Sequence, residues 1–273
     1  MPAVSIIIAA LEADDTLGAA LESALAQTLG DFEIVIAPDE PRDYAAFGAL
    51  DPRIRILTGV PTPTGAGPAR NRALAAARGD WIALLDADDR WSPNYLAGLL
   101  PAATAHGAAF GRTAVLDEAG RALRSIPARD YRGTANYAVF ARAFGSFHGL
   151  ARREPTRQWR EIFAEDVLFD LETLARAGGS APCNPDAVYY LSARPNSATR
   201  SAAFIDDIGK HYAAIVALIR AGRTGIPESE QAAACAVFES WAEMNEKYLA
   251  ARAIDPALAY QRFITTSQNE IEL

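Results

Sequence analysis

The sequence predicts an α/β fold: a mostly parallel sheet flanked by helices, followed by a C-terminal helical extension. Three observations carry this. Strand-like and helix-like segments alternate through roughly the first 100 residues. The runs VSIIIAA, FEIVIA and WIALL are continuously apolar and β-rich, as in strands buried on both faces. Beyond Ser201 only amphipathic helical patterns remain. The expected division is therefore 1–200 for the sheet-building unit and 201–273 for the helical extension.

Val4–Ala10 is the first strand. Asp14 or Asp15 can cap a helix running to about Gln27. Phe32–Ala37 is the second strand, stopped by Pro38, and Arg53–Leu57 the third. Thr58–Gly67 reads as a loop, Pro68–Arg78 as a helix closed by Gly79, and Trp81–Leu85 as a fourth buried strand. Ser92 can cap the next helix, with Pro93 at its first position. Ala108–Val115 is a further strand, ending in a hairpin-like turn at Asp117–Gly120. Arg121–Arg160 is irregular and rich in Arg and aromatic residues. Asp166–Ala177 reads as a helix stopped by Gly178 and Gly179, and Ala187–Leu191 as a short strand. Ala202–Ala221, Glu228–Ala251 and Asp255–Phe263 are the C-terminal helices, with fraying expected after Thr265. Strand–helix–strand repeats imply right-handed crossovers, and ligands in such sheets sit beyond the carboxyl ends of the strands. The loops after Ala10, Ala37 and Leu85 are thus expected to share one crevice.

The formal net charge of -8 suits neither a nucleic-acid backbone nor an anionic membrane as a partner. Cys183 and Cys235 form no CxxC pair, so they read as small core residues in a reducing compartment. No stretch reaches the ~18 apolar residues that span a bilayer. The start lacks a basic region before its apolar run and reads as a strand, not a signal peptide. A cytoplasmic location is expected, with peripheral contact at the inner face of the membrane left open.

The strongest local signal is WIALLDADDRW, Trp81 to Trp91. If the strand continues, the Asp86 and Asp88 carboxylates point to the same side. Three acids within four residues repel one another, and a divalent cation makes such a cluster favourable. Carboxylates suit hard ions such as Mg²⁺ or Mn²⁺, which often share their shell with a diphosphate. An Asp-rich turn with solvated charges is the plainer reading.

DFEIVIAPD and GAGPARNRALAAARGDWIALLDADDRWSPNYL resemble the nucleotide-binding half of family 2 glycosyltransferases. VSIIIAA and SALAQTLGDFEIVI fit the same pattern, and the likeness resumes more weakly at AEDVLFDL and YYLSARPNSATRS. The resemblance implies the Rossmann-like GT-A fold and transfer of a sugar from a nucleotide donor, UDP by default, to a saccharide or lipid-linked acceptor. It implies a role in polysaccharide or glycolipid biosynthesis. By the same likeness Asp39 contacts the nucleobase and Arg70 lies near base and ribose. Asp86 and Asp88 form the DxD motif, with Asp88 the ligand of Mn²⁺ or Mg²⁺ and Asp86 nearer the ribose or sugar. Asp166 matches the catalytic base of the inverting members. Pro38 and Leu11 depart from the pattern at the nucleobase end.

Each assignment has a structural alternative. Asp166 also fits a helix start, where an acid is stabilised by the dipole. Asp39 also fits a turn after Pro38, and Arg70 with Arg72 a solvated helix face. Arg152, Arg153, Arg157 and Arg160 either meet an anion or are solvated and paired with Glu154 and Glu161. Trp159 lines either an acceptor site or the core, and His148 and His211 receive no role. Apolar periodicity around Trp241 motivates a homodimer through the C-terminal helices. At the level of function, a non-catalytic scaffold and a nucleotidyltransferase remain as alternatives. The latter is disfavoured because the loop after the first strand lacks Gly, Arg and Lys.

Overall fold

The computed structural model describes residues 1–154, 156–193 and 202–271. The N-terminal half runs β1 (Val4–Ala10), α1 (Leu17–Leu25), β2 (Phe32–Pro38), α2 (Ala45–Gly48), β3 (Ile54–Ile56), α3 (Ala66–Ala76), β4 (Trp81–Leu84), β5 (Arg90–Trp91) and α4 (Tyr95–His106). There follow β6 (Ala108–Leu116), β7 (Ala122–Ile126), β8 (Thr134–Asn136), α5 (Tyr137–Ala143), β9 (Gly149–Arg152), α6 (Glu165–Arg176) and β10 (Ser180–Ser192). The chain closes with α7 (Ala202–Arg220), α8 (Glu228–Ile254) and α9 (Tyr260–Ile271). The expected division at residue 200, and the weak likeness from Arg194 to Ser201, fall outside the described residues.

The strands form one 10-stranded sheet in the order β3-β2-β1-β4-β9-β6-β10-β5, with β7 on β6 and β8 on β10. β3, β2, β1 and β4 are mutually parallel. β9 is antiparallel to both β4 and β6, so β6 and its parallel neighbour β10 again run with the first four. The carboxyl ends of β1, β2, β4, β6 and β10 therefore meet along one edge.

Alternation along β1 sets the layers. Ile6 and Ile8 pack with Leu17 and Leu21 of α1 and Leu96 and Leu99 of α4. Ile7, with Val35 and Ile82 from neighbouring strands, packs with Ala69, Ala73 and Leu74 of α3 on the opposite face. Both faces are covered, which is why these strands read as unbroken apolar runs. A third cluster joins β6, α5 and α6 to Ile215, Val237, Phe238 and Trp241 of the C-terminal helices. Trp241 is 4% exposed, and its Nε1 donates to the Phe140 carbonyl at 2.9 Å. The stripe that suggested a homodimer is thus covered within the chain.

Several local expectations are corrected. α1 starts after Thr16, and Asp14 pairs with Arg42 instead of capping it. α4 starts after Asn94, not Ser92. Ser92 is held by β10: its amide donates to the Val188 carbonyl at 2.8 Å, and its Oγ accepts from the Val188 amide at 2.9 Å. α9 continues to Ile271 where fraying was expected. Arg121–Arg160 contains β7, β8, α5 and β9. These elements are short, and β7 carries Arg124 at a buried position. Arg124 Nη2 donates to the Ala143 and Phe144 carbonyls at the end of α5, which supplies the charge with the acceptors a strand interior lacks.

Gly79 sits where β4 approaches β1. A Cβ there would lie 2.6 Å from the Ser5 amide nitrogen and 2.8 Å from the Val4 carbonyl carbon, both backbone. The Gly79 amide also donates to Ser5 Oγ, which in turn donates to Glu33 at 2.7 Å. Gly79→Ala is expected to lower stability by about 1–3 kcal/mol. Gly30→Ala, at an exposed site with nothing within 4 Å of its Cβ, is expected to stay within about 0.5 kcal/mol. Equal urea midpoints for the two variants would refute the close-approach argument.

Candidate active site

β4 delivers its chain to the sheet's carboxyl edge, and there the extended conformation stops. The Asp89 amide donates to the Asp86 carbonyl at 3.1 Å, closing a turn. Asp86 and Asp88 are therefore not successive same-side positions of a strand, as the sequence suggested. Asp89, 4% exposed, turns inward. It accepts from Tyr189 Oη at 2.9 Å and from the Ser192 amide at 2.7 Å. Burial first, then the charges of Asp88 and Asp86, raise its carboxyl well above the usual range. Tyr189 Oη also accepts from the Asp86 amide at 3.1 Å, so β10 fixes both ends of the turn. Asp88, at the turn itself, is part-exposed.

Arg70 on α3 is 6% exposed and points into this edge. Its Nη2 donates to Asp86 Oδ1 at 2.7 Å, and its Nη1 donates to Glu165. Burial opposes the guanidinium charge, but Asp86, Glu165 and Asp166 outweigh it and hold Arg70 firmly protonated. Burial likewise works against the Asp86 charge, and Arg70 with His148 keeps its carboxyl below the ordinary value. Glu165 is the member left compromised. Burial raises it to about 7 although Arg70 pulls the other way. The solvated-face reading of Arg70 is thereby corrected: this arginine is the buried link between β4 and α6.

At the N-terminal end of α3, Asp39 is 3% exposed. Its oxygens accept from the Thr64 amide at 2.8 Å, the Gly65 amide at 2.7 Å and Thr64 Oγ1 at 2.6 Å. Arg72 lies 3.4 Å away and also donates to the Pro38 carbonyl at 2.6 Å. Asp39 thus fastens the loop that opens α3, an acid at a helix N-terminus. A carboxylate has about four acceptor sites, and these four donors occupy them, so a further donor would have to displace one.

α6 brings in Asp166, which is part-exposed and accepts from Ser146 Oγ at 2.5 Å. Glu165 and Asp166 point apart, one to Arg70 and one to the loop before β9. The residue before them, Ala164, has φ 62°, and among the described residues the other non-glycine residues with positive φ are Glu12 and Phe144. All three lie on loops that reach this edge. Such left-handed positions cost of order 1 kcal/mol each and persist where surrounding contacts over-determine them.

The arginine run does not gather as an anion site. Arg157 lies 3.5 Å over the Phe169 ring and 3.7 Å from Glu172, both within the core. Arg152 lies over Trp81, Arg153 donates to the Gly79 carbonyl, and Arg160 donates to the Arg223 carbonyl. Glu154 pairs with Arg176 instead. Trp159 is 3% exposed and stacked on Phe169 at 4.1 Å, a core position. A separate open pocket of about 490 Å³, lined by Arg112, Arg129 and Arg132 among others, includes none of the candidate residues.

Among the described residues no three His, Cys, Asp or Glu side chains converge as a metal-holding set. The turn offers one or two carboxylates. That number suits a hard divalent ion completing its shell with water and a diphosphate. Sequence reasoning missed Tyr189, Ser192, Ser146 and the part played by Glu165. The only signal for Glu165 was its adjacency to Asp166.

Removing the Arg70 guanidinium strands Asp86 and Glu165 together. Arg70→Ala is expected to lose about 3–5 kcal/mol. Glu165→Gln, which keeps a neutral acceptor, should lose much less. Chemical denaturation of both variants checks the order.

The sequence model of Glycosyl transferase family 2 matches residues 5–153. The succinoglycan biosynthesis protein ExoO of Rhizobium meliloti (strain 1021) is 31% identical over 221 residues, covering 73% of this chain and 63% of that protein. The Escherichia coli UDP-Glc:alpha-D-GlcNAc-diphosphoundecaprenol beta-1,3-glucosyltransferase WfgD is 41% identical over 96 residues, 34% of this chain and 38% of that one. The chain thus spans less than two thirds of the length of these relatives. Among solved structures, S. aureus TarS 1-349 in complex with UDP-GlcNAc superposes with a TM-score of 0.65 at 18% identity, over 87% of this chain and 71% of that chain. The mannosyltransferase PcManGT from Pyrobaculum calidifontis, in complex with GDP-Man and Mn2+, gives 0.59 at 16% identity, over 99% and 80%. The fold is the mixed GT-A sheet, and the chain belongs to glycosyl transferase family 2.

Proposed function

We propose that this chain transfers a sugar from a nucleoside diphosphate, with UDP the first candidate, to a hydroxyl of a saccharide or lipid-linked acceptor, with inversion at the anomeric carbon. The observation that carries this reading is Arg70. One buried guanidinium ties the Asp-rich turn after β4 to the first turn of α6, so Asp88 and Asp166 stand on two walls of one edge. Residues 1–200 are read as the catalytic unit and 201–273 as the extension that packs behind it. The succinoglycan and diphosphoundecaprenol relatives support polysaccharide or glycolipid biosynthesis as the setting. Among the described residues no helix is long and apolar enough to cross a membrane, so a lipid-linked acceptor would be met at a membrane surface.

In the proposed reaction the acceptor oxygen attacks the anomeric carbon while the bond from that carbon to the β-phosphate oxygen breaks. The electron pair leaves with the nucleoside diphosphate. The acceptor hydroxyl proton passes to the Asp166 carboxylate, which Ser146 orients by its hydrogen bond. A single carboxylate acting as base, with no second one as nucleophile, gives one displacement and hence inversion. Asp88 would hold Mn²⁺ or Mg²⁺, which when bound neutralises charge on the departing diphosphate. Asp86, neutralised by Arg70, would lie toward the ribose or sugar, and Asp39 would accept from the base.

Thermal shift with UDP, GDP, CDP and dTDP, each with and without Mn²⁺, tests donor binding. One nucleotide should stabilise in a metal-dependent way, by about 2.7 kcal/mol at 100 times its Kd, and Asp88→Ala should abolish the effect. No response to any nucleotide at millimolar concentration would favour a non-catalytic scaffold. With a donor in hand, Asp166→Asn is expected to lower kcat by about 10²–10⁴-fold while leaving nucleotide stabilisation intact.

A further inference from the structure

The loop between α5 and β9 meets α6 through two contacts stacked one helical turn apart. Ser146 donates to Asp166 at 2.5 Å. Two residues on, His148 Nδ1 lies 3.7 Å from Asp170 Oδ2. Asp166 and Asp170 stand at i and i+4, on the same side of the helix. His148 and Asp170 are 4% and 5% exposed.

A separation of 3.7 Å is too long for a direct hydrogen bond. Asp170 Oδ2 finds no hydrogen-bond partner within the protein, and neither does Trp159 Nε1 nearby. His148, Trp159, Asp166 and Asp170 line one cavity of about 10 Å³, walled otherwise by apolar groups such as Ile82 and Phe169. About 10–15 Å³ is the room one water needs, given two or more polar partners. Here a donor, an acceptor and an imidazole converge on it.

Three carboxylates act on His148, and the Arg157 guanidinium acts on Asp170 beside it. Asp166 and Asp170 face it from α6, and Asp86 from the turn after β4. Tyr189 of β10 lies edge-on at 4.9 Å, and Tyr95 of α4 donates to its carbonyl. Burial alone would keep His148 neutral. Asp170 beside it, then Asp166 and Asp86, raise it to about 9. Burial raises Asp170, and His148 opposes this.

We propose that His148 is a positioning residue, which with Asp170 and one buried water forms a hydrogen-bonded floor behind Asp166 and keeps that carboxylate aimed. This rests on the reading of Asp166 as the base.

Histidine NMR tests it without turnover, since the chain has 3 histidines and His148→Gln assigns the signal. His148 should titrate near 9 in the wild type and fall in Asp170→Asn, which removes the carboxylate beside it. In Asp166→Asn it should fall by about 0.5 pH unit or more. The folded value exceeds the unfolded one, so the stabilising effect is full below about 6.5 and lost as pH rises through about 9. Thermal midpoints should therefore drop more between pH 7 and 9.5 in the wild type than in the double variant His148→Gln with Asp170→Asn, which strands no charge. With UDP-glucose as probe, that double variant should lose kcat with KM little changed, a split that a merely structural role would not give. A His148 signal unmoved by Asp166→Asn, with that variant inactive, overturns the proposal and leaves the base reading standing. Full turnover in Asp166→Asn overturns both.

Discussion

The buried guanidinium of Arg70 is the constraint on which the site depends. A charge at this depth is tolerable only with partners on more than one side, and the fold supplies Asp86 from the turn after β4 and Glu165 from the start of α6. Those elements are far apart in sequence and come from different parts of the sheet. Their shared cation fixes the distance between the turn that carries Asp88 and the helix that carries Asp166. The expense falls on Glu165, whose carboxyl is raised despite its partner because burial outweighs the attraction.

Around this link the site is braced from behind. β10 pins the Asp-rich turn through Tyr189 and the Ser192 amide, and the loop before β9 pins α6 through Ser146 and His148. The two braces touch, since the His148 ring packs edge-on against Tyr189. A side chain whose rotamer is set by a second layer of contacts holds geometry better than one on a free loop. Among the described residues, the three non-glycine residues at positive φ lie on the loops that feed this edge, as expected where surrounding contacts force the backbone.

Legibility varied with the range of the interactions. Val4–Ala10, Phe32–Ala37 and Trp81–Leu85 were readable because strands covered on both faces must be apolar throughout, a local property. The helix before the Asp-rich strand and the crevice at the strand ends followed from connectivity. β7 and β8 were not readable: they are short, antiparallel, and in β7 carry an arginine whose acceptors come from the end of α5. Helix starts were misplaced where a capping residue was claimed elsewhere, as Ser92 is by Val188.

The sequence by itself determined the α/β class, the family and the residue types at the strand ends, because apolar runs and a clustered acidic turn are local and survive without neighbours. Only the tertiary structure decided which acids face solvent and which face inward. Asp89 is buried against β10 and Asp86 is neutralised by Arg70, while Asp88 stays at the part-exposed turn. It also decided that Arg157 serves the core while Arg152, Arg153 and Arg160 are engaged separately, and that His148, which had no role in the sequence, lines a cavity with Asp166. The physical reason is the same throughout: the effect of a charge depends on what surrounds it in space, and those surroundings come from segments tens of residues away.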